Sequence, residues 1–156
     1  MPQPTFQSLV ATLVNTRLDY GNGALIGLPV YLTCRLQSVL NAAARLIFNL
    51  RRSDHVSDAL ISLHWLHIPE RIRSKVAVLV YKDLHGCAPS YLGTFTYVAD
   101  LPSHRGLRCS CSDCLVRPPI HRSTVGSRAF SVAGPQVWNC LPPEVTSAPS
   151  LTTFRT

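Results

Sequence analysis

The sequence predicts a mainly α-helical protein: a small helical bundle followed by an irregular, proline-rich tail. Apolar residues in the first half recur with helical spacing, and glycine and proline stand where helices would begin and end. The periodicity fades after about Leu92, and seven of the twelve prolines lie from Pro102 onward, which favours turns, loops and at most short strands. We therefore expect a helical region over 1–92 and an irregular basic region over 93–156.

The first predicted helix begins near Thr5, a residue type that caps helix N-termini, and ends at Gly21-Asn22-Gly23. Its apolar residues follow the i, i+3, i+4, i+7 pattern: Phe6, Leu9, Val10, Leu13, Val14 and Leu18. A short helix over Val56–Leu63 follows later in the chain, and another begins at Pro69-Glu70 and ends near Gly86.

The clearest periodic signal lies between these helices, after Pro29. At about 100° per residue, eight apolar residues form one stripe roughly 120° wide. They are Leu32, Leu36, Val39, Leu40, Ala43, Leu46, Ile47 and Leu50. Arg35, Arg45 and Arg52 fall together on the opposite side, and no acid occurs from Tyr20 to Ser53. These arginines therefore lack partners on their own predicted helix.

Charge suggests an anionic partner. The net charge is +7, and thirteen of the fifteen cations are arginines, whose planar fork suits phosphate recognition. Nucleic acid is favoured over membrane, although a charge of this size is equally explained by solubility. The longest apolar run, Val76–Tyr81, is too short to span a bilayer, and the N-terminus lacks the features of a secretory signal. We expect an intracellular location, nuclear or cytoplasmic.

Catalytic and metal chemistry find little support. The eight acids are spread from Asp19 to Glu144 with no two adjacent, whereas two-metal chemistry needs converging carboxylates. Tyr97-Val98-Ala99-Asp100 lacks the second aspartate of a reverse transcriptase box, because Leu101 follows. We therefore predict no catalytic residue and no cofactor.

One cysteine cluster offers zinc-like ligands. Cys109, Cys111 and Cys114 lie close together, with His104 before them and His121 after them. Thiolates and imidazoles are zinc ligands, but this spacing matches no common zinc pattern. A variable, exposed loop is the favoured interpretation, so we predict no metal site.

The aromatic and imidazole side chains have structural explanations. Trp65 and Trp138 could stack on bases, but packing anchors in a small core are more common. Four histidines lie within helical segments, where helix caps and half-buried positions explain them best. They are His55, His64, His67 and His85.

A series of short motifs adds a resemblance to a known family. The motifs are Arg17-Leu18-Asp19-Tyr20, Gly27-Leu28-Pro29, Arg35-Leu36-Gln37, Asn41-Ala42-Ala43-Ala44-Arg45-Leu46, Ser62-Leu63-His64-Trp65-Leu66, Ala88-Pro89-Ser90-Tyr91-Leu92 and Gly126-Ser127-Arg128-Ala129-Phe130. In this order, over about residues 9 to 154, they resemble the reverse transcriptase polyprotein of LINE-type (non-LTR) retrotransposons. The resemblance implies the region after the palm, a mostly helical thumb and tail that helps to hold the template–primer duplex.

The resemblance carries over no catalytic residue, since the motifs of the endonuclease, fingers and palm find no matching positions here. Two departures stand out. The cysteine cluster replaces serine-rich or charged residues, which argues against an inherited metal site. Gly21 and Gly23 replace the usual cysteine and serine, which we expect to weaken the helix by roughly 1 kcal/mol each.

The expected function is therefore that of a non-catalytic fragment or remnant of an RNA-directed DNA polymerase. It would bind RNA or DNA backbone weakly and without sequence specificity. The predicted contact residues are Arg35, Arg45, Arg52, Arg105, Arg108, Arg117, Arg122 and Arg128. The alternatives are a helical interaction or scaffold module that binds a partner helix through its apolar stripe, and a poorly folded chain without selected function.

Overall fold

The computed structural model describes residues 3–93, 95–101, 113–120 and 126–155. Within these ranges the α-helices are α1 (Gln3–Asp19), α2 (Val30–Phe48), α3 (Ser57–Ser62), α4 (Ile68–Leu84), α5 (Phe130–Trp138), α6 (Pro143–Thr146) and α7 (Leu151–Arg155). Short 3-10 helices span Asn22–Leu25, Ser90–Leu92 and Val98–Asp100. The prediction of a mainly helical fold is confirmed. The described residues form no β-strand, and an isolated antiparallel bridge joins Tyr97 to Leu115.

The chain divides into two compact units. The first consists of Met1–Asn22 with Leu28–Ile72, and the second of Gly23–Gly27 with Arg73–Thr156. The first turn of α4 thus belongs to the first unit and the rest of that helix to the second. The predicted boundary after residue 92 rests on a change in sequence character rather than on compactness, and it stays a prediction.

α1 begins two residues earlier than the sequence suggested. Thr5 therefore lies inside the helix, so its prediction as the N-cap is wrong. The helix ends at Asp19, before Gly21, whose φ of +73° lies in the left-handed region that glycine adopts without strain. Gly21 and Gly23 both lie beyond the helix end, so the expected cost of placing them within a helix does not arise.

α2 ends before Arg52. Pro29 occupies the N-cap position, and at the other end Asn49 adopts a left-handed conformation with φ 51°. The N–H groups of Asn49 and Leu50 both donate to the carbonyl of Arg45, which closes the helix. The prediction that Arg35, Arg45 and Arg52 share one helical face is therefore wrong, because Arg52 lies in the turn that follows α2.

The buried face of α2 is centred closer to Ala44 than the predicted stripe. Leu40, Ala43 and Ile47 are buried as expected, and Ala44 joins them with no exposed surface. Val39 and Leu46, which were placed in the stripe, remain 51% and 58% exposed. Small residues on the buried face allow close helix packing, and the rest of this core comes from the other elements of the first unit: Val10, Leu18, Ala59, Leu60, Trp65, Ile68 and Ile72.

Polar contacts fix the beginning of α4 within the first unit. The side-chain carbonyl of Gln37 accepts a hydrogen bond from the backbone N–H of Ile68 at 2.8 Å, which satisfies a donor that no residue of α4 can pair. One turn later, Arg71 donates two hydrogen bonds to the carboxylate of Asp19, at 2.5 and 2.9 Å. α4 is thereby tied to both α2 and α1.

The second unit is built around Trp138. This side chain is 2% exposed and packs in a cluster with Val76, Val80, Tyr81 and Leu115. Its indole N–H donates to the carbonyl of Asp113 at 3.0 Å, which satisfies the one polar atom of the ring. Because Trp65 is also buried, the prediction that both tryptophans act as packing anchors is confirmed.

The region predicted to be an irregular tail contains three short helices, α5 to α7. The apolar periodicity of the sequence did not predict them. α5 even includes Gly134 and Pro135, two residues that normally interrupt helices. Both are buried, and a Cβ added at Gly134 would stand 2.8 Å from the ring of Phe95. Tight packing against this aromatic ring, rather than local propensity, accounts for the helix.

We predict that Arg71→Gln lowers the free energy of unfolding by about 1–2 kcal/mol, because it removes a paired, charge-assisted hydrogen bond. The two side chains are 15% and 28% exposed, so solvent screens the pair only in part. Arg73→Gln is the matched control: Arg73 is exposed on the same helix, and its substitution should cost less than about 0.5 kcal/mol. Urea unfolding followed by circular dichroism would measure both, and equal losses would contradict the role assigned to Arg71.

Candidate nucleic-acid interface

The structure places the eight predicted arginines in different environments. Arg35, Arg52 and Arg117 are exposed, whereas Arg45 and Arg128 are partly buried. The remaining three, Arg105, Arg108 and Arg122, lie outside the described residues. Arg35 and Arg52 belong to the first unit, one on α2 and the other in the turn after it.

Arg45 has a structural role. Its guanidinium donates to the backbone carbonyl of Asp54 at 3.4 Å, and its Nε is buried without a partner among the described residues. The carboxylate of Asp54 in turn accepts a hydrogen bond from the N–H of Arg51 at 2.8 Å. Arg45 therefore secures the 51–54 turn against α2, and phosphate contact would require it to leave this position.

Two exposed arginines of the first unit were missed by the sequence analysis. Arg17 lies in the last turn of α1, and Arg51 directly precedes Arg52. Like those of Arg35 and Arg52, their guanidinium groups make no hydrogen bond or ion pair to any described residue. Arg51 could have been found from its position in an Arg-Arg dipeptide, whereas Arg17 carried no distinguishing signal.

The acids of the first unit are fewer than its arginines. Asp19 is bound by Arg71, and Asp54 is bound by the backbone of its own turn. Asp58 and Glu70 are the exposed acids of this unit. The first unit thus contains six arginines and four acids among its described residues, so it carries a net charge of about +2.

Arg117 and Arg128, the two predicted contact residues described in the second unit, differ in how far their side chains can move. Arg117 is exposed, whereas the aliphatic stem of Arg128 packs against the backbone of Gly27, where an added Cβ would stand 3.1 Å from its Cγ. Packing of the stem leaves the guanidinium less freedom to follow a phosphate. Arg117 is accordingly the stronger candidate of the two.

Two acids of the second unit, Asp100 and Asp113, interact electrostatically with Tyr97. Burial raises the pKa of Tyr97, and the carboxylates of Asp113 and Asp100 raise it further. Tyr97 is therefore protonated at neutral pH. Across the part of the chain that the structure describes, no three histidine, cysteine or acidic side chains gather closely enough to hold a metal ion.

The histidines are more exposed than the sequence suggested. His55, His64, His67 and His85 are all exposed and lie outside the helices, so the expectation of half-buried positions within helical segments is wrong. His67 directly precedes α4 and His85 directly follows it, at helix ends where caps were expected. His85 stacks on Tyr81 with ring centroids 3.9 Å apart, and one of its ring nitrogens lies 2.8 Å from the Tyr81 carbonyl. Among the described residues, none of the four histidines lies in a group that could bind a metal ion.

Comparison with known proteins adds no family. No protein-family model matches the chain, and neither curated proteins nor solved structures yielded a match. In the described ranges, no helix is both long enough and apolar enough to cross a bilayer.

The cysteine cluster remains a matter of prediction, because Cys109, Cys111, His104 and His121 lie outside the described residues. Cys114 is a free, partly buried thiol. We predict that the purified chain retains no stoichiometric zinc after dialysis, since the spacing suits no common zinc site. Metal retained in a one-to-one ratio, and lost in Cys111→Ser and Cys114→Ser variants, would contradict this prediction.

Proposed function

We propose that these residues correspond to the post-palm region of a LINE-type reverse transcriptase and bind nucleic-acid backbone weakly, without a catalytic role of their own. The motif series supports the family assignment, and the mainly helical fold is compatible with a thumb-like region. Backbone binding needs only correctly placed cations, so it would be independent of sequence. The proposed setting is the nucleus or cytoplasm, where such a partner occurs.

The observation that carries the binding proposal is the exposure of Arg35 and Arg52. Both residues are exposed, and their guanidinium groups make no hydrogen bond or ion pair to any described residue. An unengaged guanidinium can donate two parallel hydrogen bonds to a phosphate. Arg45 is not among the proposed phosphate contacts, because its guanidinium already binds the 51–54 turn.

A second candidate, a helical interaction module, is favoured by one specific observation. Of the eleven large hydrophobic side chains that are exposed in the described residues, ten lie in the first unit and only Tyr91 lies in the second. Large hydrophobic side chains left exposed on one unit are candidates for a protein contact. The two candidates use different side chains of one unit and are compatible.

We predict that combining Arg35→Gln with Arg52→Gln weakens the salt dependence of binding to duplex DNA. The slope of log K, where K is the association constant, against log salt concentration should become less steep by about 1.8, because each phosphate contact contributes about 0.9. The measurement is fluorescence anisotropy with a labelled duplex over a range of salt concentrations. Glutamine keeps the helix propensity close to that of arginine, so α2 should stay intact.

Two controls sharpen this test. Arg73→Gln with Lys75→Gln removes the same charge from exposed positions outside the first unit and should change the slope by less than about 0.5. Arg45→Gln should leave the slope unchanged and reduce stability by about 1 kcal/mol. Equal flattening by both double variants would mean that overall charge, not these two residues, drives binding. An unchanged slope in the first double variant would refute the contact.

A further inference from the structure

Exposed aromatic side chains accompany the exposed arginines of the first unit. Among the described residues, four tyrosine and phenylalanine side chains are exposed, and three of them belong to this unit. The three are Tyr20, Tyr31 and Phe48, which are 87%, 64% and 41% exposed. Each lies three or four residues along the chain from an exposed arginine, in the same order Arg17, Arg35 and Arg52. Exposed rings and exposed guanidinium groups therefore occur close together along this unit.

Tyr31 and Arg35 are the pair whose relative position the helix fixes. Both belong to α2, and residues four apart lie on the same side of a helix, about 6 Å apart along its axis. Neither side chain makes a hydrogen bond, ion pair or ring contact to any described residue. The ring and the guanidinium group are therefore both available to one ligand that lies along this side of α2.

The charge around this pair fits a polyanion. From residue 21 to residue 53 the chain carries four arginines, no lysine and no acid, so this segment has a charge of +4. A nucleic acid offers phosphates to the arginines and flat bases to the rings. Such a ligand uses both kinds of exposed side chain, whereas phosphate contacts alone leave the rings without a role.

We propose that the first unit binds unpaired nucleotides, with a base stacked on Tyr31 and an adjacent phosphate bound by Arg35. This inference rests on the backbone binding proposed above and adds a base contact to it. In a duplex each base is stacked between its neighbours, and its removal from the stack costs free energy. An unpaired base exposes its flat face, and stacking on an aromatic ring tolerates any base. Tyr31 therefore distinguishes single strands from duplexes without reading sequence.

The ring and the guanidinium group contribute in ways that can be measured separately. Loss of the ring should weaken binding to a single strand by about tenfold, toward the lower end of what one stacked base contributes, because the ring lies on an open surface. Stacking releases no counterions, so the ring should affect the affinity and not its salt dependence. The guanidinium group should affect both.

Fluorescence anisotropy of the full chain with three labelled probes tests the stacking contact. The probes are a thymidine homopolymer, the same strand annealed to its complement, and an abasic strand with the same number of phosphates. Tyr31→Leu should weaken binding to the thymidine strand by about tenfold and change binding to the other two probes by less than about twofold. Tyr31→Phe keeps the ring and should bind all three probes as the parent chain does.

Two control variants separate the ring from general surface effects and from charge. Tyr91→Leu removes an 82% exposed ring of the second unit that has no arginine within four residues, and it should not alter binding to any probe. Arg35→Gln should make the salt slope less steep by about 0.7 on the single strands and about 0.9 on the duplex. Circular dichroism of each variant checks that α2 remains folded, as the exposure of Tyr31 leads us to expect.

A loss that is confined to the strand with unpaired bases supports the stacking contact. An equal loss with the abasic strand or the duplex would overturn it, because the ring would then support the fold or the phosphate contact. Unchanged binding of Tyr31→Leu to all three probes would also overturn it, while backbone binding by Arg35 and Arg52 would stand. If the parent chain binds none of the probes, the proposed function itself is refuted, and the stacking contact with it.

Discussion

Arg71 reaches from the first turn of α4 to the last residue of α1, where it donates two hydrogen bonds to Asp19. Gln37 on α2 reaches the same turn and accepts the N–H of Ile68. These contacts fix the start of α4 relative to α1 and α2 and so hold together the helices that build the core of the first unit. A charge-assisted pair can do this because both side chains are mostly buried, which limits competition from water.

The same contacts determine which arginines are left for binding. Arg71 and Arg45 both bind groups within the first unit. Arg71 joins α4 to α1, and Arg45 joins the 51–54 turn to α2. Arg35 and Arg52 are exposed, and their guanidinium groups make no ion pair to a described residue. Some arginines of the first unit therefore stabilise the fold, and others are left exposed to solvent. The proposed phosphate contacts follow from which arginines are exposed, not from the net charge alone.

Much of the first half could be predicted from sequence, because α2 has strong periodicity and α4 begins with proline and glutamate. The end of α2 could not, since the left-handed conformation of Asn49 stops a pattern that continues in the sequence. α5 was missed because Gly134 and Pro135 oppose helix formation locally, and packing against Phe95 overrides them. The role of Arg45 was invisible for a similar reason: its acceptor, the Asp54 carbonyl, is brought near only by the fold.

Hydrogen exchange on the full chain, with and without a DNA duplex, tests most directly the claim that a folded helical protein presents free arginines to phosphate. The account predicts slow exchange at the buried helix centres, Leu40 and Ala44 of α2 and Val76 and Val80 of α4, whether or not the duplex is present. It also predicts that the duplex slows exchange in the 51–54 turn. Rapid exchange throughout α2 and α4 would contradict the fold, and a turn unaffected by saturating duplex would contradict the binding site.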